Sequence, residues 1–390
     1  MGAFSRGAVI EAVRSVVGAS DRVALHEPEL KGREIEYLSR CIETGWVSYA
    51  GEYVTQFEAD LARISQVAHA VAMVNGTVAL HAALLVAGVK PGDEVLVPTL
   101  TFAATANAVA HAGAEPHFVD SELPTLGLDP DKLAVHLEAA AVVRDGVCIN
   151  RTTGRPIRAV VPVHVFGHPA RMRALQDVAE RYRLAIVEDA AEALGSRMNN
   201  KPVGGDGVMS VLSFNGNKIV TTGGGGAILT NDADLARRIK HLTTTAKVPH
   251  RYDFFHDEVG YNYRMPNINA AVGCAQLERL DDFVARKRRL AEAFAAALSA
   301  VDGIRFFREP PGAASNYWLN AFLLDPAYAT ERNPLLEALN DAGLGCRPVW
   351  VPMHRLPMFS QCPRGDLTTA EDIAARLINI PSSAHLAPPE

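Results

Sequence analysis

The sequence has few cysteines, and their arrangement argues against two classes of protein. Only five occur in 390 residues. They are odd in number, far apart and never in a Cys-x-x-Cys pair, which argues against a disulfide framework and against a zinc site. We therefore expect no metal, and mostly buried, reduced thiols at Cys41, Cys148, Cys274, Cys346 and Cys362.

Long apolar runs and an excess of positive charge are missing as well. No stretch is apolar enough to span a bilayer, and Arg6, Glu11 and Arg14 interrupt the N-terminal region where a signal peptide would be continuous. The formal net charge is -6, with acidic and basic residues interspersed. Because nucleic acids and anionic membranes attract basic stripes, we expect the protein to bind neither. The missing signal peptide and membrane span lead us to expect a cytoplasmic location.

The pattern that is present is that of a large α/β protein. From residue 71 onward, short runs of Val, Ile and Leu alternate with helix-period segments, as parallel strands joined by crossover helices do. Helices are predicted at 77–87 and 171–182. The predicted strands cover 70–74, 94–97, 116–119, 158–165 and 184–188, with close-set pieces at 208–214 and 226–230.

The C-terminal third has a different composition, which predicts a second, smaller domain. A long helix-period stretch runs from residue 269 to about 298, and short mixed segments follow it to the end. We expect an N-terminal arm over 1–30, a large domain over 31–265, and a connecting helix with a small domain over 266–390.

Lys218 is the first candidate for chemistry. It follows a predicted strand, lies in a glycine-containing turn and precedes the run Gly223 to Gly226. A lysine at a strand end can reach an aldehyde and form a Schiff base if its environment lowers its pKa. The alternative is a solvated turn lysine. The glycine run itself leads into a strand rather than opening a helix, so it does not indicate a dinucleotide site.

Asp189 ends a predicted buried strand and should face the ligand crevice at the strand's carboxyl end. Its position suits a carboxylate that holds a pyridinium nitrogen protonated, and Glu188 should point to the opposite side of the strand. The residues after Asp189 also permit a helix N-cap. On its own, the pattern leaves the two interpretations equal.

Gly76 and Thr77 lie between a strand and a helix, so their amides can bind an anion at the helix N-terminus. Ser213 can add a hydroxyl to the same anion. His164 and Phe102 lie at strand ends and can line the crevice, although each can equally be a core residue. None of these signals is specific alone.

Seven segments, in this order and spacing, resemble the DegT/DnrJ/EryC1/StrS family of nucleotide-sugar aminotransferases from about residue 23 to residue 381. The resemblance implies a type I pyridoxal-phosphate (PLP) transferase fold with a mostly parallel central sheet and a smaller α+β domain. The segments are TGWVS at 44–48, NGTVAL at 75–80, VPTLTF at 97–102, PVHVFG at 162–167, EDAAEALG at 188–195, SFNGNK at 213–218 and GYNYRM at 260–265.

The resemblance implies a role for each residue around the cofactor ring. Lys218 would hold PLP as a Schiff base and move the proton between cofactor and sugar. Asp189 would pair with the ring nitrogen, Phe102 would stack on the ring, and Glu192 would lie near the phenolic oxygen. The family commonly has Gln or His in place of Glu192, so this carboxylate changes the charge beside the ring.

The resemblance also implies a cradle for the cofactor phosphate and a second subunit. Gly76, Thr77 and Ser213 would hold the phosphate together with Asn262 of the other subunit, which requires a homodimer. The family often has Ser where Asn75 stands, a change that leaves the backbone cradle intact. Weaker candidates for the sugar side are His164, Trp46, Tyr317, Asn320 and His354.

The segments 162–169, 213–230 and 246–250 most resemble the branch of the family that acts on UDP-4-keto-6-deoxy-N-acetylglucosamine with glutamate as amino donor. The implied product is a UDP-4-amino-4,6-dideoxy-N-acetylhexosamine, a precursor of legionaminic acid or bacillosamine in surface glycans. Amination of a 3-keto sugar or of a GDP-linked, perosamine-type sugar is the alternative.

Three other activities are less consistent with the sequence. A C3 dehydratase of this family would carry histidine in place of Lys218. A nicotinamide-dependent sugar oxidoreductase would need a dinucleotide fingerprint, and no such segment is found. A non-catalytic PLP-bound sensor would not need the full set of catalytic groups.

Overall fold

The computed structural model describes residues 4–389, which contain twelve α-helices and eighteen strands. The helices are α1 Arg6–Val17, α2 Glu34–Thr44, α3 Glu52–Ser65, α4 Gly76–Val86, α5 Ala103–His111, α6 Pro130–Ala140, α7 Met172–Tyr182, α8 Ala233–Thr243, α9 Asn267–Leu277, α10 Leu280–Leu298, α11 Arg332–Asp341 and α12 Thr368–Arg376. The strands are β1 His69–Met73, β2 Glu94–Pro98, β3 Glu115–Val119, β4 Ala141–Arg144, β5 Val147–Asn150, β6 Pro156–Val160, β7 Ala185–Asp189, β8 Arg197–Met198, β9 Lys201–Pro202, β10 Met209–Ser213, β11 Gly226–Thr230, β12 Lys247–Val248, β13 Phe255–His256, β14 Ile304–Phe306, β15 Ala313–Ala314, β16 Asn320–Leu324, β17 Arg347–Pro348 and β18 Leu377–Ile380.

A nine-stranded sheet forms the centre of the molecule, with the order β1-β11-β10-β7-β6-β2-β3 and with β4 and β5 attached at β6. The strands β10, β7, β6, β2 and β3 are mutually parallel, whereas β11 runs antiparallel between β10 and β1. The predicted mostly parallel sheet is confirmed. Because parallel strands end at one edge, β2, β7 and β10 deliver their last residues to the same side of the sheet.

The strand predicted over 158–165 is wrong in its second half. Strand β6 ends at Val160, and a 3-10 turn over Val165–Gly167 follows. Pro162 has no N–H for the ladder, although its carbonyl still accepts the Asp189 N–H at 2.8 Å. Phe166 then turns the chain with a positive φ of 55°, which leads the backbone away from the sheet.

The single helix predicted from 269 to 298 is two helices, with a break at Glu278 and Arg279. Helix α9 buries Ala270 and Cys274 in the cluster of the large sheet, whereas α10 buries Leu290 and Phe294 in the cluster of the small sheet. Helix α10 itself begins in the cluster of the large sheet, through Leu280 and Phe283, and continues into that of the small sheet.

A second sheet, with the order β14-β16-β18-β17, is antiparallel throughout and is formed by the C-terminal part of the chain. Helices α10 and α11 pack on one face of it. Helix α1 joins the same cluster through Val9 and Val13, so the N-terminal segment folds onto the C-terminal unit. Among the described residues, no helix is long and apolar enough to cross a membrane.

Candidate active site

A cavity of about 760 Å³ lies where the edge formed by the ends of β2, β7 and β10 meets the small sheet. Residues of both units line it. From the large sheet come Asn75, Gly76, Thr77, Thr101, Phe102, Thr105, Asp189, Glu192, Ser213 and Lys218, and from the rest of the chain come His26, Trp318, Arg347, Trp350 and Asn379.

Lys218 reaches into this cavity and is not a solvated turn lysine. Its Nζ lies 3.2 Å from Glu192 Oε1 and 3.8 Å from the centre of the Trp318 ring. The Trp318 indole N–H donates to the Asn217 carbonyl at 2.7 Å. The tryptophan therefore holds both the turn and the ammonium group that the turn presents.

Asp189 is the last residue of β7 and is buried in the cavity wall. Its Oδ2 accepts the Thr105 hydroxyl at 2.8 Å and its Oδ1 accepts the Ala191 N–H at 3.2 Å. Burial raises the pKa of Asp189, and the hydrogen bonds and Lys218 oppose that shift. A turn rather than a helix follows, so the helix-cap interpretation is wrong.

Glu192 is fixed from two sides. The Phe166 N–H donates to its Oε2 at 2.8 Å, and the Asn316 side chain donates to its backbone carbonyl at 2.8 Å. Burial raises the pKa of Glu192, while the Lys218 charge lowers it. The carboxylate is thus held rigidly within reach of the lysine.

A backbone cradle for an anion lies at the N-terminus of α4. The Asn75 side chain caps the helix by accepting the Val78 N–H at 3.0 Å, so the amides of Gly76 and Thr77 stay available. A Cβ on Gly226 would lie 2.6 Å from the Asn75 backbone. Only glycine therefore allows β11 to pass this close to the cradle.

Phe102 precedes α5 on the wall of the cavity, with 57% of its side chain exposed. Its ring centre lies 6.5 Å from that of Trp350. A large apolar side chain left this exposed on a cavity wall has a free face for a flat ligand.

His164, Tyr317 and Asn320, which the sequence suggested as sugar-binding residues, do not line the cavity. His164 is fully buried and uses both ring nitrogens, one with Glu188 Oε2 at 3.0 Å and one with the Ala170 N–H at 3.0 Å. Asn320 is buried against Ser382. The Tyr317 hydroxyl accepts the Glu309 N–H.

Three further predicted residues lie elsewhere. The His354 ring is held between Thr99 and Glu371 at 2.8 Å from each. Trp46 is largely exposed, and Asn262 is exposed beside Thr244. Neither Trp46 nor Asn262 lines the cavity of its own chain.

Sequence reasoning missed His26, Trp318, Arg347, Trp350 and Asn379, all of which line the cavity. These residues come from the N-terminal segment and the small sheet, far along the chain from Lys218. Only tertiary packing brings them to the site, and no local motif marks them.

The residues around the cavity fit PLP. Lys218 supplies an amine, Asp189 a buried carboxylate for a protonated ring nitrogen, and the N-terminus of α4 an anion cradle for a phosphate. Because burial raises the pKa of Asp189, its ionised form would be stabilised by a cationic partner such as a protonated ring nitrogen. The fold and site together define a type I PLP-dependent transferase.

The chain belongs to the DegT/DnrJ/EryC1/StrS aminotransferase family, whose model matches residues 28–390. A GDP-perosamine synthase of Escherichia coli O157:H7 is 38% identical over 92% of this chain and 93% of its own. The crystal structure of the aminotransferase TlmJ from Streptoalloteichus hindustanus superposes with a TM-score of 0.83 at 29% identity, covering 93% of both chains. The S. venezuelae DesV structure with a ketimine intermediate gives 0.81 at 30% identity, covering 93% of this chain and 94% of its own.

The protein is therefore a PLP-dependent nucleotide-sugar transaminase. This confirms the family, the fold class, the cofactor and the enzyme class that the sequence resemblance implied.

Proposed function

We propose that the enzyme transfers an amino group from glutamate to the C4 ketone of a nucleotide-linked 4-keto-6-deoxyhexose. The observation that carries the proposal is the Lys218 amine, which reaches into a cavity and lies 3.2 Å from the buried carboxylate of Glu192, with buried Asp189 on the same cavity wall. The cavity volume of about 760 Å³ suits a cofactor together with a sugar.

The nucleotide is the open part of this proposal. The relatives named GDP-perosamine synthase, at 38% and 35% identity, favour a GDP-linked sugar, which the sequence left as the alternative. The resemblance of 162–169, 213–230 and 246–250 to the UDP-N-acetylhexosamine branch favours the other nucleotide. We rank the GDP-linked substrate first because whole-chain similarity supports it.

Lys218 moves the proton in both halves of the exchange. When bound, PLP supplies an aldehyde that captures amines and a ring that withdraws electrons from the carbon being deprotonated. Lys218 must be a neutral amine to accept that proton, and it donates the proton again as an ammonium. Glu192 Oε1, at 3.2 Å, stabilises the ammonium form.

Asp189 would hold the ring nitrogen of PLP in its protonated form, because its buried carboxylate lies on the cavity wall. Thr105 and the Ala191 N–H fix the orientation of this carboxylate. Phe102 would cover one face of the ring, while Gly76, Thr77 and Ser213 would bind the phosphate. Such contacts would hold the cofactor within reach of Lys218.

A homodimer completes the proposed site. Asn262 lies outside the cavity of its own chain, so its proposed bond to the phosphate must come from a second copy. The hairpin of β12 and β13 exposes large apolar side chains, which indicates a surface that another protein covers. They are Tyr252, Phe254, Phe255 and, beside the hairpin, Val259.

Replacing Lys218 with Ala tests the catalytic assignment. Loss of the proton-moving amine should reduce turnover by at least about 10²–10⁴-fold, measured by mass analysis of nucleotide sugars after incubation with glutamate. Substantial remaining turnover would reject Lys218 as the base. Parallel incubations of the wild type with GDP-linked and UDP-linked 4-keto sugars and with a 3-keto sugar identify the substrate. A wild-type protein that does not convert glutamate to 2-oxoglutarate would instead be a non-catalytic sensor.

A further inference from the structure

Two buried polar atoms on the cavity wall have no hydrogen-bond partner among the described residues. They are Asn379 Oδ1 and His26 Nδ1. Asn379 is only 3% exposed. Buried polar atoms almost always have a hydrogen-bond partner. Two such atoms without a partner on the wall of a ligand cavity therefore indicate that a bound ligand supplies the partners.

The small sheet fixes Asn379 toward the cavity. It lies in β18, flanked by Leu377, which packs toward the large sheet, and by Ile378 and Ile380, which pack into the opposite face. Alternation along a strand therefore directs Asn379 to the same side as Leu377. That side faces the cavity.

His26 and Asn379 together define one corner of the cavity, in which His26 is a neutral imidazole. Burial lowers the pKa of His26 well below its ordinary value, and the positive charges of Lys287 and Lys218 lower it further. A neutral imidazole accepts a hydrogen bond at one nitrogen and donates at the other. The Asn379 amide likewise both accepts and donates. The unpaired Asn379 Oδ1 is an acceptor, so its partner must donate a hydrogen, which a hydroxyl or amide can do and an ionised carboxylate cannot.

A cation stands beside this neutral corner. Arg347 of β17 is the register partner of Asn379, and it is exposed on the cavity wall. Its Nη1 donates to Asn340 Oδ1 at 3.0 Å and to the Cys346 carbonyl at 2.8 Å. The guanidinium is thus oriented, and within the described chain it contacts no carboxylate. A ligand with a neutral ring and an attached anionic group would place the ring against His26 and Asn379 and the anion beside Arg347.

We propose that His26 and Asn379 bind the hydroxyl or acylamino substituents of the substrate's sugar ring, with Arg347 facing the phosphate attached to that ring. The inference rests on the proposed function and names the sugar side of its site. The carboxylates of glutamate have no hydrogen to donate to Asn379 Oδ1, whereas sugar hydroxyl and acylamino groups do.

Replacing Asn379 with Leu should affect the reaction with the keto sugar and not the reaction with glutamate. The reaction with glutamate alone, followed by the absorbance change of the bound cofactor, should be unchanged within about 2-fold. The KM for the keto sugar should rise about 10- to 100-fold, as expected for loss of hydrogen bonds to a buried amide. The unliganded variant should be at least as stable to heat as the wild type, because a buried unpaired amide is gone.

Matched variants make the test decisive. Ser121→Ala removes another buried, unpaired polar atom at a residue that does not line the cavity, and should leave the KM for the sugar unchanged. Asn379→Ser and His26→Phe repeat the measurement should Asn379→Leu fail to fold. An unchanged sugar KM in these variants, or an equal loss with glutamate, would overturn the inference. If the wild type reacts with glutamate but aminates no keto sugar, the proposed function itself has failed.

Discussion

At the scale of single residues, the site depends on how three side chains meet. Lys218, Glu192 and Trp318 come from different parts of the chain, yet the lysine contacts both partners. The sequence predicted Lys218 and Glu192 through motifs. It could not predict Trp318, because its position over the lysine depends on how the small sheet packs against the large one.

Asp189 shows how structure resolves an ambiguity that the sequence leaves. A strand-end aspartate before an Ala-rich segment suits both a helix cap and a ring-nitrogen partner. The backbone turns after Asp189 instead of forming a helix, and the carboxylate faces the cavity. His164 shows the converse, since its motif position suggested the crevice while its contacts with Glu188 and Ala170 bury it.

Lys287 is a buried residue whose protonation should affect stability. Its Nζ donates to the carbonyls of Trp318 and Ser382, and burial lowers its pKa to about 7. The unfolded lysine keeps its ordinary, higher pKa, so the unfolded state binds more protons between about pH 7 and pH 10. The free energy of unfolding should therefore rise with pH across that window.

The Lys287→Met variant checks this contribution. Denaturant unfolding of wild type and variant at several pH values should give a smaller rise with pH for the variant. Identical slopes would show that Lys287 does not titrate in this window.

At the scale of elements, the sequence predicted most strands of the large sheet to within a residue or two. It did not predict β4 and β5, and two of its other errors have physical causes. Pro162 lacks the N–H that would continue the ladder of the apolar run 158–165, and pairing with β7 resumes only as an isolated bridge between Val163 and Asp189. The single helix predicted from 269 to 298 breaks at Glu278 and Arg279, where neither Gly nor Pro occurs, so local sequence gave no signal for the break.

Strand β11 and the phosphate cradle depend on Gly226. In Gly226→Ala, the added Cβ would lie 2.6 Å from the Asn75 backbone and 2.7 Å from the Gly76 nitrogen. We expect a loss of about 1–3 kcal/mol in unfolding free energy and weaker binding of PLP, measured by equilibrium titration of the apoenzyme.

Gly224→Ala is the matched control within the same glycine run. A Cβ there would meet no atom nearer than 4.0 Å, so its PLP affinity should equal that of the wild type. Equal PLP affinity of the Gly226 and Gly224 variants would show that close passage of β11 does not shape the cradle.

At the scale of the whole molecule, we propose that a complete active site needs the large-sheet and small-sheet parts of one chain and a second copy of the chain. The sequence division at 1–30, 31–265 and 266–390 remains a proposal. Helix α1 packs with the small sheet, whereas α9 and the first residues of α10, Leu280 and Phe283, pack with the large sheet, which favours moving the second boundary into α10. Long-range packing of this kind leaves no local mark in the sequence.

The proposed dimer predicts a linked loss of assembly and cofactor binding. Phe254 is 80% exposed on the hairpin, and an aspartate there would place a charge in an apolar interface. Phe254→Asp should shift the mass in sedimentation toward the monomer and weaken PLP binding, because Asn262 would no longer reach the partner's phosphate.

Two other results would count against this arrangement. A Phe254→Asp protein that stays dimeric would place the interface elsewhere. A monomer with wild-type PLP affinity would show that the second copy contributes nothing to the cradle.

Transfer of nitrogen from glutamate to the sugar carbon through Lys218 is the central claim, and isotope transfer tests it most directly. The enzyme is incubated with ¹⁵N-glutamate and a GDP- or UDP-linked 4-keto-6-deoxy sugar, and the product is analysed by mass and by ¹⁵N–¹³C coupling. The account predicts one ¹⁵N bonded to C4 in the wild-type product and none with Lys218→Ala. Label-free product, label at C3, or label transferred by Lys218→Ala at the wild-type rate would contradict it.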